Sequence, residues 1–81
     1  MDSGIKVWSR DNCGFCTKVK ISLHEHGLEF TEVMLTKDNA QEFLNETNHA
    51  KTVPQVLIRG DLIGNSEDVD RYLNGGSYHG A

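Results

Sequence analysis

The stretch NCGFCT, residues 12–17, contains both cysteines of this 81-residue chain, and two residues separate them. A largely apolar run, IKVW at 5–8, precedes the stretch, and a pattern typical of a helix follows it. If these flanks are a strand and a helix, Cys13 lies at the helix N-terminus, where unpaired backbone N–H groups and the helix dipole stabilise an anion. A thiolate is such an anion, and a C-x-x-C pair at a helix start has a lowered thiol pKa. The motif therefore predicts a redox-active dithiol.

Three other interpretations of the cysteine pair stay open at this point. A structural zinc site needs four ligands, and His24 and His26 could supply two of them. However, residues two apart on a helix point to different sides, so these histidines do not easily close on one metal. A structural disulfide would close too short a loop to add much stability. The last interpretation is a pair of inert thiols on an interaction domain.

Composition indicates one folded, soluble domain. The chain has 37% hydrophobic and 25% charged residues, which is ordinary for a globular protein. Its net charge of −4 argues against nucleic acid as the main partner, because phosphate binding needs a basic face. No apolar run approaches the roughly 20 residues of a membrane span, and residues 1–4 lack the features of a signal peptide. We therefore expect a cytoplasmic protein without a membrane partner, in a compartment where a C-x-x-C is more often catalytic or metal-binding than a cross-link.

The remaining patterns predict an α/β domain with the element order βαβαββα. In the first helix, apolar residues recur at helical spacing on one face, and in the last helix Ser66 is the expected N-cap. The first strand, helix and strand predict a parallel pair with a right-handed crossover, and a later hairpin adds antiparallel strands. The result is a four-stranded mixed sheet flanked by three helices. We expect strands at 5–9, 30–35, 55–59 and 62–63, with a tight turn at 60–61 between the last two. The first helix should span about 15–26, the second should begin at 38 or 39, and the third should begin at 66. Residues 75–81 are expected to form a flexible tail.

Over about residues 5–73, the chain resembles the glutaredoxin family of the thioredoxin superfamily. The matching signatures are C-G-F-C at 13–16, T-V-P-Q at 52–55, and I-G at 63–64 followed by S-E-D at 66–68. A single C-x-x-C is a weak signal, whereas three signatures at the family's spacing are a strong one. The resemblance implies that residues 1–81 form a single thioredoxin-like domain. It also implies a glutathione-dependent thiol–disulfide oxidoreductase of the dithiol class.

The resemblance also implies roles for individual residues. Cys13 matches the nucleophile that attacks a disulfide or a glutathionylated thiol, and Cys16 matches the resolving thiol. Pro54 matches a cis-proline beside the active cysteine, and the backbone of Val53 would pair with glutathione in a strand-like way. The expected glutathione-binding residues are Arg10, Phe15, Gln41, Lys51, Thr52, Val53, Pro54, Gly64, Ser66 and Glu67.

Several of these residues have a plainer interpretation beside the functional one. Arg10 and Lys51 could be ordinary solvated charges, because exposed charges usually contribute little. Gln41 could be helix surface, and Ser66 could serve only as an N-cap. Phe15 has polar neighbours on its helix face, so we expect it to border the substrate cleft and not the core.

Two departures from the family's common pattern stand out. Gly14 and Phe15 replace the usual Pro-Tyr between the cysteines, and Asn65 replaces the second glycine after Gly64. We expect Asn65 to adopt the left-handed conformation that glycine would take. The Gly-Phe pair is shared with the family's single-cysteine branch, but Cys16 and the absence of that branch's extra loop favour the dithiol class.

The chemistry predicts glutathione as the reductant. Lowering a thiol pKa also lowers its nucleophilicity, with a Brønsted slope of about 0.4–0.5, so the main benefit is that Cys13 becomes a good leaving group. Nearby Arg10 and Lys18 are expected to favour the anion. The alternative is a glutaredoxin-like thioredoxin that a reductase enzyme reduces. Expected clients of this monomer are disulfide-containing proteins, for which ribonucleotide reductase is the family's common example.

No metal is expected, apart from one alternative. The resemblance allows a [2Fe–2S] cluster between two chains, held by Cys13 of each chain and two glutathione thiols. Gly14 would supply a backbone N–H to cluster sulfur, which a proline at that position would not.

Overall fold

The structure, a computed structural model, describes residues 4–74, and the predicted tail at 75–81 lies outside them. The elements follow the predicted order, which is confirmed. Their bounds are β1 (Ile5–Ser9), α1 (Gly14–Glu25), β2 (Thr31–Met34), α2 (Ala40–Glu46), β3 (Gln55–Ile58), β4 (Asp61–Gly64) and α3 (Ser66–Leu73). Within the described range, no helix is both long and apolar enough to cross a membrane.

The four strands form one mixed sheet, as predicted, and their order in the sheet is β2-β1-β3-β4. Strand β1 lies between a parallel neighbour, β2, and an antiparallel neighbour, β3; Trp8 is opposite Val33 on one side and Gln55 on the other. Strand β4 completes the sheet as the antiparallel partner of β3. The loop that leaves β1 after Ser9 therefore emerges from the middle of the sheet.

Successive residues of β1 point to opposite faces, and each face has its own apolar cluster. On one face, Val7 and Val56 pack with Val19 and Leu23 of α1 and Val69 of α3. On the other face, Trp8 and Leu57 pack against Phe43 of α2. The helices therefore cover both faces of the sheet.

The β3–β4 turn is one residue earlier than predicted. Arg59 and Gly60 have φ of 52° and 86°, and β4 begins at Asp61. Two-residue hairpins favour turns in which both central residues have positive φ, because such turns match the twist of the strands. The expected turn at 60–61 was wrong by one position because Arg59 adopts a conformation that is uncommon for its residue type.

The start of α3 also differs from the prediction. Asn65, and not Ser66, is the N-cap: its side chain accepts a hydrogen bond from the Asp68 N–H at 3.1 Å, and the Asp68 carboxylate accepts the Asn65 N–H at 3.1 Å. An N-cap residue needs an extended backbone, so Asn65 has φ −86° and not the left-handed conformation that we expected. Gly64, with φ +123°, is the residue that bends the chain into the helix.

Candidate active site

Cys13 lies where the chain leaves the sheet and enters α1. It is the N-cap of that helix, and its sulfur accepts the backbone N–H of Cys16 at 3.2 Å. The two cysteines are joined by a disulfide, with their Cα atoms 5.2 Å apart. Cys13 is half-buried, whereas Cys16 is 1% exposed. The predicted position of Cys13 at the helix start is confirmed, and Cys16 is the more deeply buried of the two cysteines.

A second loop brings its backbone next to Cys13. The Val53–Pro54 peptide bond is cis, as predicted, and Pro54 is buried. The Cys13 sulfur lies 3.8 Å from the carbonyl oxygen of Val53. The site therefore combines the start of α1 with the loop that precedes β3, which is 40 residues further along the chain.

An open groove of about 520 Å³ runs from Cys13 along α2, and we call it the Cys13 groove. Its apolar part includes Leu35, Phe43, Leu44, Ala50 and Val53. Its polar part includes Asn12, Thr52 and the two cations Arg10 and Lys51. Phe15 also lines it and is 63% exposed, so it borders this groove and not the core, as predicted.

The charge of the Cys13 groove differs from that of the whole chain. Its lining contains two cations and no carboxylate, although the chain has a net charge of −4. Within residues 4–74, Arg10 and Lys51 have no ion-pair partner among the carboxylates, unlike Lys6, Lys18, Lys20 and Arg71. A groove with this lining favours an anionic ligand that also has apolar surface.

The expectation that Lys18 helps to stabilise the Cys13 thiolate was wrong. Its Nζ lies 4.0 Å from the Asp70 carboxylate of α3, so the side chain is directed along α1 towards that helix. Residue 18 lies one turn beyond the helix start, where a long side chain reaches the neighbouring helix before it reaches the cysteine.

A second, polar groove of about 570 Å³ adjoins Cys13 on the α1 side, and the sequence did not predict it. Its lining includes Lys20 and Glu32, which form an ion pair at 2.8 Å. Glu32 also accepts a hydrogen bond from the buried hydroxyl of Ser9 at 2.5 Å. The hydrogen bonds from Lys20 and Ser9 hold the pKa of Glu32 below its ordinary value. This network ties α1, β1 and β2 together beside the active cysteine.

Five of the predicted glutathione-binding residues do not line the Cys13 groove, and the buried Pro54 is one of them. Gln41 is exposed on α2, and its amide donates to Asn45 at 3.2 Å. Gly64, Ser66 and Glu67 lie at the junction of β4 and α3. The structure does bring together with Cys13 the predicted residues Arg10, Phe15, Lys51, Thr52 and Val53.

The histidines do not complete a zinc site with the cysteines. In the part of the chain that is described, no group of three or more His, Cys, Asp and Glu side chains could hold a metal ion. The His26 ring nitrogen Nδ1 instead lies 2.8 Å from the carbonyl oxygen of Ser22.

The sheet order, the two-sided helix cover and the C-x-x-C at a helix start define a thioredoxin-like protein with a redox-active cysteine pair. Comparison with known proteins agrees: the glutaredoxin family model matches residues 5–63. The chain belongs to the glutaredoxin family.

Individual relatives extend this comparison. The hybrid peroxiredoxin hyPrx5 of Haemophilus influenzae is 36% identical over 73 residues, covering 90% of this chain and 30% of that protein. Glutaredoxin-1 of Sus scrofa is 30% identical over 73 residues, covering 82% of this chain and 69% of that protein. Among solved structures, the buckwheat glutaredoxin–glutathione complex aligns with a TM-score of 0.74 at 26% identity, covering 89% of this chain and 70% of that one. The chain thus spans less than a third of the Haemophilus relative.

Proposed function

We propose that this protein is a glutathione-dependent thiol–disulfide oxidoreductase that reduces protein disulfides and glutathione mixed disulfides. The observation that supports this most is the position of the Cys13 sulfur, at a helix start and at one end of a groove with cations but no carboxylate. Glutathione carries two carboxylates and one ammonium group, so a cationic groove suits its net charge. A solved relative, buckwheat glutaredoxin, forms a complex with glutathione.

The proposed reaction begins with attack by the Cys13 thiolate on the glutathione sulfur of a mixed disulfide. The new S–S bond joins Cys13 to glutathione, and the client cysteine leaves as a thiolate that takes a proton from water. A second glutathione thiolate then attacks the bound glutathione sulfur, which releases oxidised glutathione and restores the Cys13 thiolate. The Cys16 N–H, 3.2 Å from the sulfur, stabilises that thiolate as attacker and as leaving group.

When the substrate is a protein disulfide, Cys16 reacts as well as Cys13. Cys13 first forms a mixed disulfide with the client, and the thiolate of Cys16 then attacks the Cys13 sulfur. This releases the reduced client and leaves the Cys13–Cys16 disulfide, which is the oxidation state of the structure. Two glutathione molecules would return the pair to the dithiol.

The remaining elements of the proposal concern binding and context. Arg10 and Lys51 would receive glutathione carboxylates, and the backbone of Val53 would pair with the glutathione main chain. Gln41 and the junction residues Gly64, Ser66 and Glu67 would contact parts of glutathione that extend beyond the groove. We also propose that the protein is cytoplasmic, because the dithiol needs a reducing compartment, and that it acts as a monomer. The Haemophilus relative, by its name a peroxiredoxin, suggests peroxiredoxin disulfides as one client class beside ribonucleotide reductase.

Replacing Lys51 with glutamine tests the groove as the glutathione site. We expect KM for a glutathionylated peptide to rise roughly threefold to fivefold, because an exposed ion pair contributes up to about 1 kcal/mol. The effect should shrink in high salt, which screens exposed charges. Lys37→Gln is the matched control, since Lys37 is also exposed but does not line the groove. The measurement is steady-state turnover with glutathione, a glutathione reductase and NADPH.

Two results would contradict the proposal. One is turnover that a thioredoxin-type reductase supports and glutathione does not, which would favour the glutaredoxin-like thioredoxin. The other is an equal KM for the Lys51→Gln and Lys37→Gln proteins at low salt, which would remove the groove from glutathione binding.

A second candidate function, carriage of a [2Fe–2S] cluster, is favoured by Gly14. This residue opens α1 beside Cys13, and a Cβ at its position would have nothing within 4 Å, so the cysteine is approachable there. Cys13 is the one cluster ligand that this chain would provide. A second chain and two glutathione thiols would provide the others, and hydrogen bonds to cluster sulfur help to tune such sites.

Anaerobic reconstitution with iron, sulfide and glutathione tests the cluster, with visible absorption and molecular size as readouts. We expect a coloured dimer from the unchanged protein and a colourless monomer from Gly14→Pro. Proline is accepted at the first position of a helix, so the variant should keep its fold. Unchanged protein that stays colourless and monomeric, like the Gly14→Pro protein, would leave only the oxidoreductase.

A further inference from the structure

Helix α2 is held to the sheet by a polar cluster, which we call the α2 clamp: Lys6, Trp8 and Glu46. The Glu46 carboxylate accepts the Trp8 indole N–H at 2.9 Å and the Lys6 ammonium at 3.0 Å. The Lys6 nitrogen also lies 5.0 Å from the centre of the Trp8 ring, within cation–π distance. One carboxylate at the C-terminal end of α2 thus binds two side chains of β1.

The clamp is connected to the Cys13 groove through one aromatic contact. Trp8 is fully buried, and its ring meets Phe43 edge-to-face with centroids 5.3 Å apart. Phe43 and the next residue, Leu44, line the Cys13 groove. The side of the groove that α2 forms therefore rests on Trp8, which Glu46 orients.

Helix α2 has few other attachments. It is seven residues long, and Phe43 is its single buried residue. Its N-cap, Asn39, makes no side-chain bond to the helix, because that side chain is engaged with the backbone of Thr36 and Met34. Short helices depend on tertiary contacts for their stability, so we expect the position of α2 to depend on the apolar contacts of Phe43 and Leu44 and on the hydrogen bonds of Glu46.

The clamp is ionised at neutral pH. Burial works against both charges, but the hydrogen bonds from Trp8 and Lys6 hold the pKa of Glu46 below its ordinary value. Burial likewise opposes the charge on Lys6, yet its hydrogen bond to Glu46 holds the pKa of Lys6 above its ordinary value. The charge-assisted hydrogen bonds are therefore present under assay conditions.

We propose that Glu46 is a positioning residue for substrate binding: through Lys6 and Trp8 it fixes α2, and hence the apolar side of the Cys13 groove. This inference rests on the proposed function of that groove. Groove contacts with the substrate exist before and during the reaction at sulfur, so their loss weakens both states equally. Uniform loss of this kind raises KM and leaves kcat unchanged.

The test compares two carboxylates of the same helix. Glu46→Leu should raise KM for a glutathionylated peptide about tenfold, because a helix α2 that is no longer fixed leaves only about a tenth of the molecules with the groove formed, with kcat changed by less than about twofold. Glu42→Gln is the control: Glu42 lies 3.4 Å from the Lys6 ammonium and is mostly exposed. It should change neither constant by more than about twofold, as is usual for an exposed pair. Glu46→Gln keeps an acceptor for the Trp8 N–H and should give an intermediate KM.

Trp8 provides a second readout, because it is the only tryptophan of the chain. In the double variant Cys13→Ser/Cys16→Ser, which cannot react, titration with glutathione should change Trp8 emission saturably. The midpoint should match the Kd that calorimetry gives. Adding Glu46→Gln to this double variant should raise the glutathione concentration at the midpoint. This measurement keeps the inference testable if Glu46→Leu does not fold.

The outcomes separate this inference from the proposed function. If the unchanged protein is active with glutathione, and the KM values of the Glu46 variants equal that of the Glu42→Gln protein, the inference is wrong and the proposed function stands. A glutathione Kd, measured by calorimetry, that Glu46→Gln leaves unchanged would overturn it in the same way. If the unchanged protein neither binds nor uses glutathione, the proposed function fails, and this inference fails with it.

Discussion

Replacing Cys13 with serine is expected to reduce every thiol–disulfide exchange activity to the uncatalysed rate, whereas Cys16→Ser should retain most deglutathionylation. A serine hydroxyl at the start of α1 is neither ionised nor a useful leaving group, so both half-reactions stop. Cys16 is 1% exposed and takes no part when glutathione resolves the mixed disulfide. It is needed for dithiol reduction, because its attack on the Cys13 sulfur is intramolecular and correspondingly fast.

Parallel assays on a glutathionylated peptide and on a protein disulfide check this prediction. The two single variants serve as controls for each other, since each keeps one thiol and the same fold. An active Cys13→Ser protein beside an inactive Cys16→Ser protein would reverse the assigned roles. Equal loss of deglutathionylation in both variants would show that the glutathione route also needs the second thiol.

Gly64→Ala is expected to cause a large loss of stability, although it adds only one methyl group. Gly64 has φ +123°, and a Cβ there would collide with the Asp68 carboxylate, with its Cγ at 2.8 Å. The collision breaks the capping box of α3, and such caps contribute about 0.5–2 kcal/mol. Backbone strain adds about 1–3 kcal/mol. We therefore expect the free energy of unfolding to fall by roughly 2–4 kcal/mol and Tm to fall by roughly 10–20 °C.

Thermal unfolding followed by circular dichroism gives both quantities. Gly14→Ala is the matched control, because that glycine has no positive φ and a Cβ would meet nothing within 4 Å. Alanine is also the better helix former, so this control should unfold at the Tm of the unchanged protein or slightly above it. Equal stability of the Gly64→Ala and Gly14→Ala proteins would show that the β4–α3 junction adapts without cost.

Much of the fold follows from local patterns in the sequence. The helical spacing in α1 reflects one buried face, and the largely apolar run of β1 reflects burial on both faces of the sheet; both patterns are visible without a structure. The position of Cys13 as the cap of α1 follows from the same patterns. The cis bond before Pro54 does not, since X–Pro bonds are usually trans; the family resemblance supplied it.

The predictions from sequence failed where a contact joins residues that are far apart in the chain, or where two neighbouring residues are equally suited to one role. Asn65 and Ser66 are both good N-caps, and only the approach of Asp68 decides between them. The ion pair of Lys18 with Asp70 joins residues 52 positions apart, so local sequence predicts only the proximity of Lys18 to Cys13. Glu46 and its partners Lys6 and Trp8 are about 40 residues apart, so no spacing rule connects them. The signal that could have drawn attention to them is a lone tryptophan in a strand, since a buried indole N–H needs an acceptor.

The most direct test of the central claim is the mass of the adduct that forms on Cys13. A peptide whose cysteine is glutathionylated is mixed with the Cys16→Ser protein in the absence of free glutathione. The mass of the intact protein is then measured by mass spectrometry. If the Cys13 groove binds the glutathione half and Cys13 attacks its sulfur, the protein gains one glutathione and releases the free peptide. The Cys13→Ser/Cys16→Ser protein gains nothing. A protein that instead carries the peptide, or carries no adduct at all, would contradict glutathione recognition at this site.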